Sequence, residues 1–209
     1  MTNNGHEGSG DSARWFGPAL AAAAFAILLT GMLSAGSAEQ STLDLLLRRS
    51  KGEAMSVPLT PGQSSYVLEA RRDGQVVPVT LASFDARVVF VNFWGTYCPP
   101  CVDELPSLLA LARSKDPKDL VVVAVAYDDS WQAIDDFFAK NATAQVPPNF
   151  VIVRDPNSTA KRDLKAAFGT DKIPESYLVR GGRIEAKFVN ARDWIDPTIV
   201  GLVEALLGG

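Results

Sequence analysis

Histidine is all but missing from this chain: the only one, His6, lies in the first stretch of polar residues. Cysteine is nearly as scarce, with Cys98 and Cys101 the only two. Together these absences exclude a good deal of chemistry. A zinc site draws on about four Cys, His or carboxylate ligands, and the body of the chain offers two thiols and no imidazole. Residue 102 is Val, so the pair is not a C-x-x-C-H haem attachment motif. A nucleophilic triad that depends on histidine is excluded likewise, and two cysteines in one CxxC make no structural disulfide framework. Basic excess is also lacking: 20 Lys and Arg against 24 Asp and Glu leave a net charge of −4, which gives no footprint for nucleic acid. With 47% hydrophobic and 21% charged residues in 209, the chain is a folded protein with room for one domain of ordinary size and some additional segments.

What is present centres on VVFVNFWGTYCPPCVDEL, Val88–Leu105. Val88, Val89, Phe90, Val91, Phe93 and Trp94 read as a buried strand, broken by Gly95 and Thr96. Beyond Cys98-Pro99-Pro100-Cys101, apolar Val102, Leu105, Leu108, Leu109 and Ala112 recur at helical spacing. The cysteines therefore fall where a strand ends and a helix begins. A helix start presents unpaired N–H groups and the positive end of the helix dipole, both of which stabilise a thiolate. A separation of three residues brings both sulfurs to one side, within bridging reach. Pro99 and Pro100 stiffen the intervening dipeptide and remove two N–H groups.

Ahead of this stretch, residues 1–14 are polar and Gly/Ser/Asn-rich, an expected disordered tail. Residues 15–38 carry no charge, and Phe16–Leu33 is almost wholly apolar; as a helix it would span about 27 Å. An uncleaved transmembrane anchor is expected, with a cleaved signal peptide as the alternative because Ser34–Ala38 offers small residues for cleavage. The basic residues Arg48, Arg49 and Lys51 outnumber Arg14 and would hold the C-terminal part inside. A long C-terminal domain, however, translocates largely regardless of local charge, and a lone redox CxxC behind a leader suits the outside. Residues 39–63 read as a tether, with a turn or two of helix at Leu43–Leu47 and then irregular chain around Pro58, Pro61 and Gly62.

Residues 64–209 read as one α/β domain. Tyr66–Ala70 and Val76–Leu81 are short strands around the hairpin signal Asp73-Gly74. Leu120–Tyr127 is a second apolar run suited to a strand buried on both faces. Asp128, Asp129 and Ser130 are N-cap candidates for a helix over Trp131–Lys140. Phe150–Val153 is a further strand, followed by a helix from about Thr159 to Phe168 closed by Gly169. Ser176–Val179 and Ile184–Val189 form a hairpin around Gly181-Gly182, and a last helix runs from Asp196-Pro197 to about Leu207. The alternation implies a parallel core with right-handed crossovers.

These pieces resemble the thioredoxin superfamily, and within it the membrane-tethered, extracytoplasmic branch of TlpA/ResA-like proteins. The resemblance rests on VNFWGTYCPPC (91–101), DELP (103–106) and FGTDKIPESYLVRGGRI (168–184), in matching order over about 64–209. It implies a central mixed sheet flanked by helices behind an N-terminal transmembrane helix. It implies Cys98 as the exposed nucleophile and Cys101 as the half-buried resolving thiol. Ile173-Pro174 becomes a cis peptide beside the cysteines, with the Ile173 backbone available to an extended client, and Trp94 either lines that site or packs beneath it. Glu104, three residues beyond Cys101 on the same helix face, is implied as a proton carrier for the thiols; an acid that merely suits the helix dipole is the alternative. Glu175 either tunes the charge of the site or contacts a client, with an exposed surface acid as the alternative. Two departures stand out. Asn92 occupies the place of a buried aspartate on the central strand and cannot accept a proton, and Tyr97 replaces the usual tryptophan before the first cysteine, still shielding the disulfide.

The resemblance further implies a thiol–disulfide oxidoreductase without cofactor or metal, in the bacterial cell membrane with its domain in the periplasm. It would reduce client protein disulfides, such as those of apocytochromes c during haem attachment or of copper-site proteins, and be recharged by a membrane electron donor. A disulfide-forming oxidant is the rival direction, since CxxC oxidoreductases span about −270 to −120 mV. A copper-delivery module is disfavoured by the missing histidine, and a peroxidase by the adjacent cysteine pair.

Overall fold

The structure, a computed structural model, describes residues 1, 40–72, 74–141, 145–157 and 163–208. The chain divides into Met1–Ser41 and Thr42–Gly209. The anchor expected over 15–38, and the tail before it apart from Met1, lie outside the described residues. Among the described residues no helix is long and apolar enough to cross a membrane.

The domain from Thr42 onward is an eight-stranded mixed sheet covered by helices on both faces. Its strands are β1 (Glu53–Pro58), β2 (Leu68–Arg72), β3 (Gln75–Val79), β4 (Val88–Trp94), β5 (Leu120–Ala126), β6 (Phe150–Arg154), β7 (Glu175–Arg180) and β8 (Arg183–Val189). They lie in the order β1-β8-β7-β4-β5-β6-β2-β3. The central trio β4, β5 and β6 is parallel, and β7 runs antiparallel beside β4. The helices are α1 (through 49), α2 (Pro61–Ser64), α3 (Pro99–Arg113), α4 (Trp131–Lys140), α5 (Leu164–Phe168) and α6 (Pro197–Gly208).

Every residue of β4 and β5 is buried, because helices cover both faces of a parallel core. Strand alternation then sorts their side chains into two cores. Val88, Phe90 and Trp94 pack with both cysteines, with Leu105, Leu108 and Leu109 of α3, and with Leu202, Val203 and Leu206 of α6. Val89, Val91 and Phe93 pack on the other face with Leu164, Phe168 and Tyr177. The sequence-predicted strands, hairpins and last helix all form, the helix expected from Thr159 being described from Leu164.

The segment expected as a tether is different. Leu47 is buried in the core, β1 pairs antiparallel with β8 at the sheet edge, and Leu59 N–H bonds Gly182 O at 2.8 Å. Pro58 is tolerated because it ends an edge strand, and Pro61 because it opens α2. The largely exposed β1 shows no alternation to announce it. The domain therefore starts at Thr42, not at residue 64.

Candidate functional site

The site forms where β4 runs out. Trp94 O accepts from Tyr127 N–H at 2.9 Å, and the loop that follows is held by Asp128. Asp128 was an N-cap candidate, but Ser130 takes that role, accepting from Ala133 N–H. The buried Asp128 carboxylate instead accepts the Thr96 N–H at 3.1 Å and the Thr96 hydroxyl. Tyr97 is 66% exposed; its hydroxyl donates to Tyr127 O, and its ring lies where a Cβ on Gly95 would meet it at 2.8 Å. A larger residue at 95 would therefore have to push the Tyr97 ring aside.

Cys98 is the N-cap of α3 and is disulfide-bonded to Cys101, with Cα atoms 5.3 Å apart. Pro99 and Pro100 have no N–H to offer, so the first helical N–H belongs to Cys101; it points at Cys98 Sγ, 3.3 Å away. A thiolate at Cys98 would meet this donor and the dipole behind it. The exposure order is as expected, with Cys98 at 7% and Cys101 at 2%. Cys98 is nonetheless far less open than an exposed nucleophile, because it packs into the same core as Trp94 and α3.

Ile173-Pro174 is a cis peptide. The register of β7 on β4, with Glu175 opposite Phe93, places Pro174 beside the end of the strand that leads to the cysteines. Ile173 packs against both cores. Trp94 cannot touch a client: it is 1% exposed, wedged against Phe137 and Phe138 of α4 with ring centroids 5.8 and 6.0 Å away. Its assignment as a substrate-binding residue is therefore corrected to packing beneath the motif.

Glu104 is buried one turn beyond Cys101 and is met by three donors. Asn92 Nδ2 donates to Oε1 at 3.0 Å, while Arg192 N–H and Trp194 Nε1–H donate to Oε2 at 3.2 and 3.0 Å. All three donors, and the Arg192 charge, favour the carboxylate. Burial opposes them and prevails, pushing the carboxyl up to about 7. A carboxyl that changes charge near neutrality can both take and return a proton there. Asn92 is thus more than the loss of an aspartate: held by Ser176 Oγ at 2.9 Å, it fixes the glutamate. On its outer side Glu104 borders a cleft of about 350 Å³ lined also by Asp103, Ser107, Arg192 and Asp193.

Glu175 is not a surface acid. It is buried, on the opposite sheet face from Glu104, and pairs with Lys187 at 2.6 Å and the Tyr177 hydroxyl at 2.5 Å. Thr170 joins this cluster, donating to Glu175 and lying 2.8 Å from the Tyr177 hydroxyl. The cluster ties together the two ends of the cis-proline loop. Sequence reasoning missed Arg192, Trp194 and Ser176; the one available signal was an isolated Arg-Asp-Trp between a strand and a proline-started helix. Among the described residues there is no cluster of three or more His, Cys, Asp or Glu suited to a metal.

Residues 61–193, which carry both the helix-start disulfide and the cis-proline loop, match the Redoxin family. The chain belongs to the Redoxin family. It is 28% identical over 101 residues to the thiol-disulfide oxidoreductase ResA of Bacillus thuringiensis subsp. konkukian, covering 48% of this chain and 53% of that protein. To ResA of Bacillus subtilis it is 27% identical over 115 residues, covering 55% and 58%. The chain thus spans little more than half the length of these curated relatives. Its fold matches the solution structure of a thiol:disulfide interchange protein from a Bacteroides species, with a TM-score of 0.56 at 19% identity over 75% of this chain and 91% of that one. This Redoxin domain has the thioredoxin-like architecture expected from the sequence.

Proposed function

We propose that this protein is a thiol–disulfide oxidoreductase that reduces disulfides of client proteins. The observation that carries the proposal is the Cys98–Cys101 bridge at the start of α3, with a carboxyl that titrates near neutrality one turn on. In the reduced protein the Cys98 thiolate attacks a client disulfide and forms a mixed disulfide, releasing one client thiolate. Cys101, deprotonated with Glu104 as acceptor, attacks Cys98 Sγ and releases the second client thiolate. Two electrons pass to the client, and the Cys98–Cys101 disulfide is left. The cis-proline loop, through the Ile173 backbone, receives the extended client.

The similarity to ResA supports this reading, as do the lone CxxC and the apolar segment at 15–38. We extend it to an anchored bacterial protein with its domain outside the cytoplasm, serving apocytochromes c or copper-site proteins and recharged by a membrane dithiol donor. The decisive experiment is trapping. Cys101→Ser should hold a client as a stable mixed disulfide through Cys98; trapping by Cys98→Ser in its place would reverse the two roles. A redox potential near the oxidising end of the range, about −120 mV, would turn the direction to disulfide formation.

A further inference from the structure

The loop between β8 and α6 bonds both the cis-proline segment and α3. At its start Asn190 N–H bonds the Pro174 carbonyl at 3.1 Å. Arg192 N–H and the Trp194 indole hold Glu104, and Trp194 N–H bonds Ser107 Oγ at 3.1 Å. The Arg192 side chain reaches the end of α1. Its Nη1 donates to Ser50 O at 2.6 Å and its Nη2 to Val189 O at 2.9 Å. Its Cζ lies 4.7 Å from the centroid of the Phe188 ring and 5.6 Å from that of the Trp194 ring.

Ser50 belongs to the closing turn of α1, which is itself firmly built. Ser50 N–H and Gly52 N–H cap the Leu46 and Leu47 carbonyls at 2.9 and 2.8 Å, Lys51 takes the left-handed conformation usual at a helix end, and Leu47 is buried. Gly52 lies so close to Phe188 that a Cβ there would meet the ring at 2.5 Å. Phe188 in turn packs edge-on against Trp194, with centroids 5.5 Å apart.

We propose that the lead-in ahead of β1 is a working part of the redox site: through Arg192 as a positioning residue, the end of α1 holds the loop that fixes the Glu104 carboxyl. This rests on the reading of Glu104 as proton carrier. The charged and titratable groups around Glu104 are the Arg192 guanidinium, Asp103 and Asp193 of the shared cleft, and Cys101 one turn back on α3. Of these Arg192 is the cation, and it is the group the lead-in grips. A change at residue 50 or 52 therefore reaches the site through a side chain that both carries charge and places two donors.

The test follows the Trp194 indole N–H resonance with pH in the full chain with the disulfide closed, since that N–H bonds Glu104 directly. Trp194→Phe identifies the signal among the four tryptophans. The unaltered protein should show an inflection near neutrality that Glu104→Gln abolishes. Arg192→Met and Gly52→Ala should each raise the midpoint by about half a pH unit or more, the second without altering any charge. Arg192→Lys keeps the charge but not the fork, and should recover only part of the shift. Midpoints unmoved in both Arg192→Met and Gly52→Ala, with the Glu104→Gln effect intact, overturn the coupling and leave the proton-carrier reading standing. Full recovery by Arg192→Lys also overturns it, because charge alone would then suffice. If thiol–disulfide exchange keeps its pH dependence in Glu104→Gln, it is the proton-carrier reading that fails.

Discussion

Burial of Glu104 makes a prediction about stability as well as catalysis. The native protein holds this carboxyl up to about 7, against an ordinary value of 4.5, so between those two values the folded state binds a proton that the unfolded chain has released. Stability then falls as pH rises through that window: the contribution is full below about pH 4.5 and gone above about pH 7. At about 1.4 kcal/mol per unit, the shift amounts to roughly 3 kcal/mol, an appreciable share of a domain stability of about 5–15 kcal/mol. Glu104→Gln removes the titration while keeping the shape, and Asn92 can turn its amide to meet the new one. Urea unfolding of the oxidised protein and the variant across pH 4–8.5 isolates the term, because every other group cancels in the difference. The unaltered protein should lose about 3 kcal/mol relative to the variant across the window. Parallel stability curves, within about 1 kcal/mol at both ends, would refute the claim that desolvation prevails over the three donors.

Trp194→Phe keeps the ring against Phe90 and Phe188 but removes one donor from Glu104; it should cost about 1–2 kcal/mol at pH 8.5 and less at pH 5 by urea unfolding. Lys187→Met strands the buried Glu175 carboxylate, and thermal or urea unfolding should register a loss of about 3 kcal/mol, most of it recovered when Glu175→Gln is added. Asp128→Ala leaves the Thr96 N–H without its acceptor; a cost of about 1–3 kcal/mol is expected, with faster amide exchange at Thr96 and Tyr97 than in the unaltered protein.

Much of the fold was legible because its signals are local. The runs Val88–Trp94 and Leu120–Ala126 are apolar without alternation, as only strands covered on both faces can be. Gly74, Gly169, Gly181 and Gly182 mark turns by their positive φ. Two thiols between a strand and an apolar-periodic segment already specify a helix-start disulfide. Other features carry no such signal. β1 is mostly exposed and contains proline, and it becomes a strand only because β8 presents an open edge to it. Trp94 and Glu175 read as candidates for the site because each adjoins a motif residue in sequence; depth in a core depends on what packs from elsewhere in the chain.

From sequence alone, then, came the chemistry: a pair of thiols in bridging reach, a proline set before a strand, an acid one turn along, and no imidazole beyond His6. Which environment each group has was decided by tertiary contact. Asn92, Arg192 and Trp194 are spread over a hundred positions, yet all three donate to the one Glu104 carboxyl, and Ser176 holds Asn92 in place. The protonation of a buried group is set by desolvation and by donors arriving from distant strands and loops. Neither is encoded in the spacing of residues along one helix.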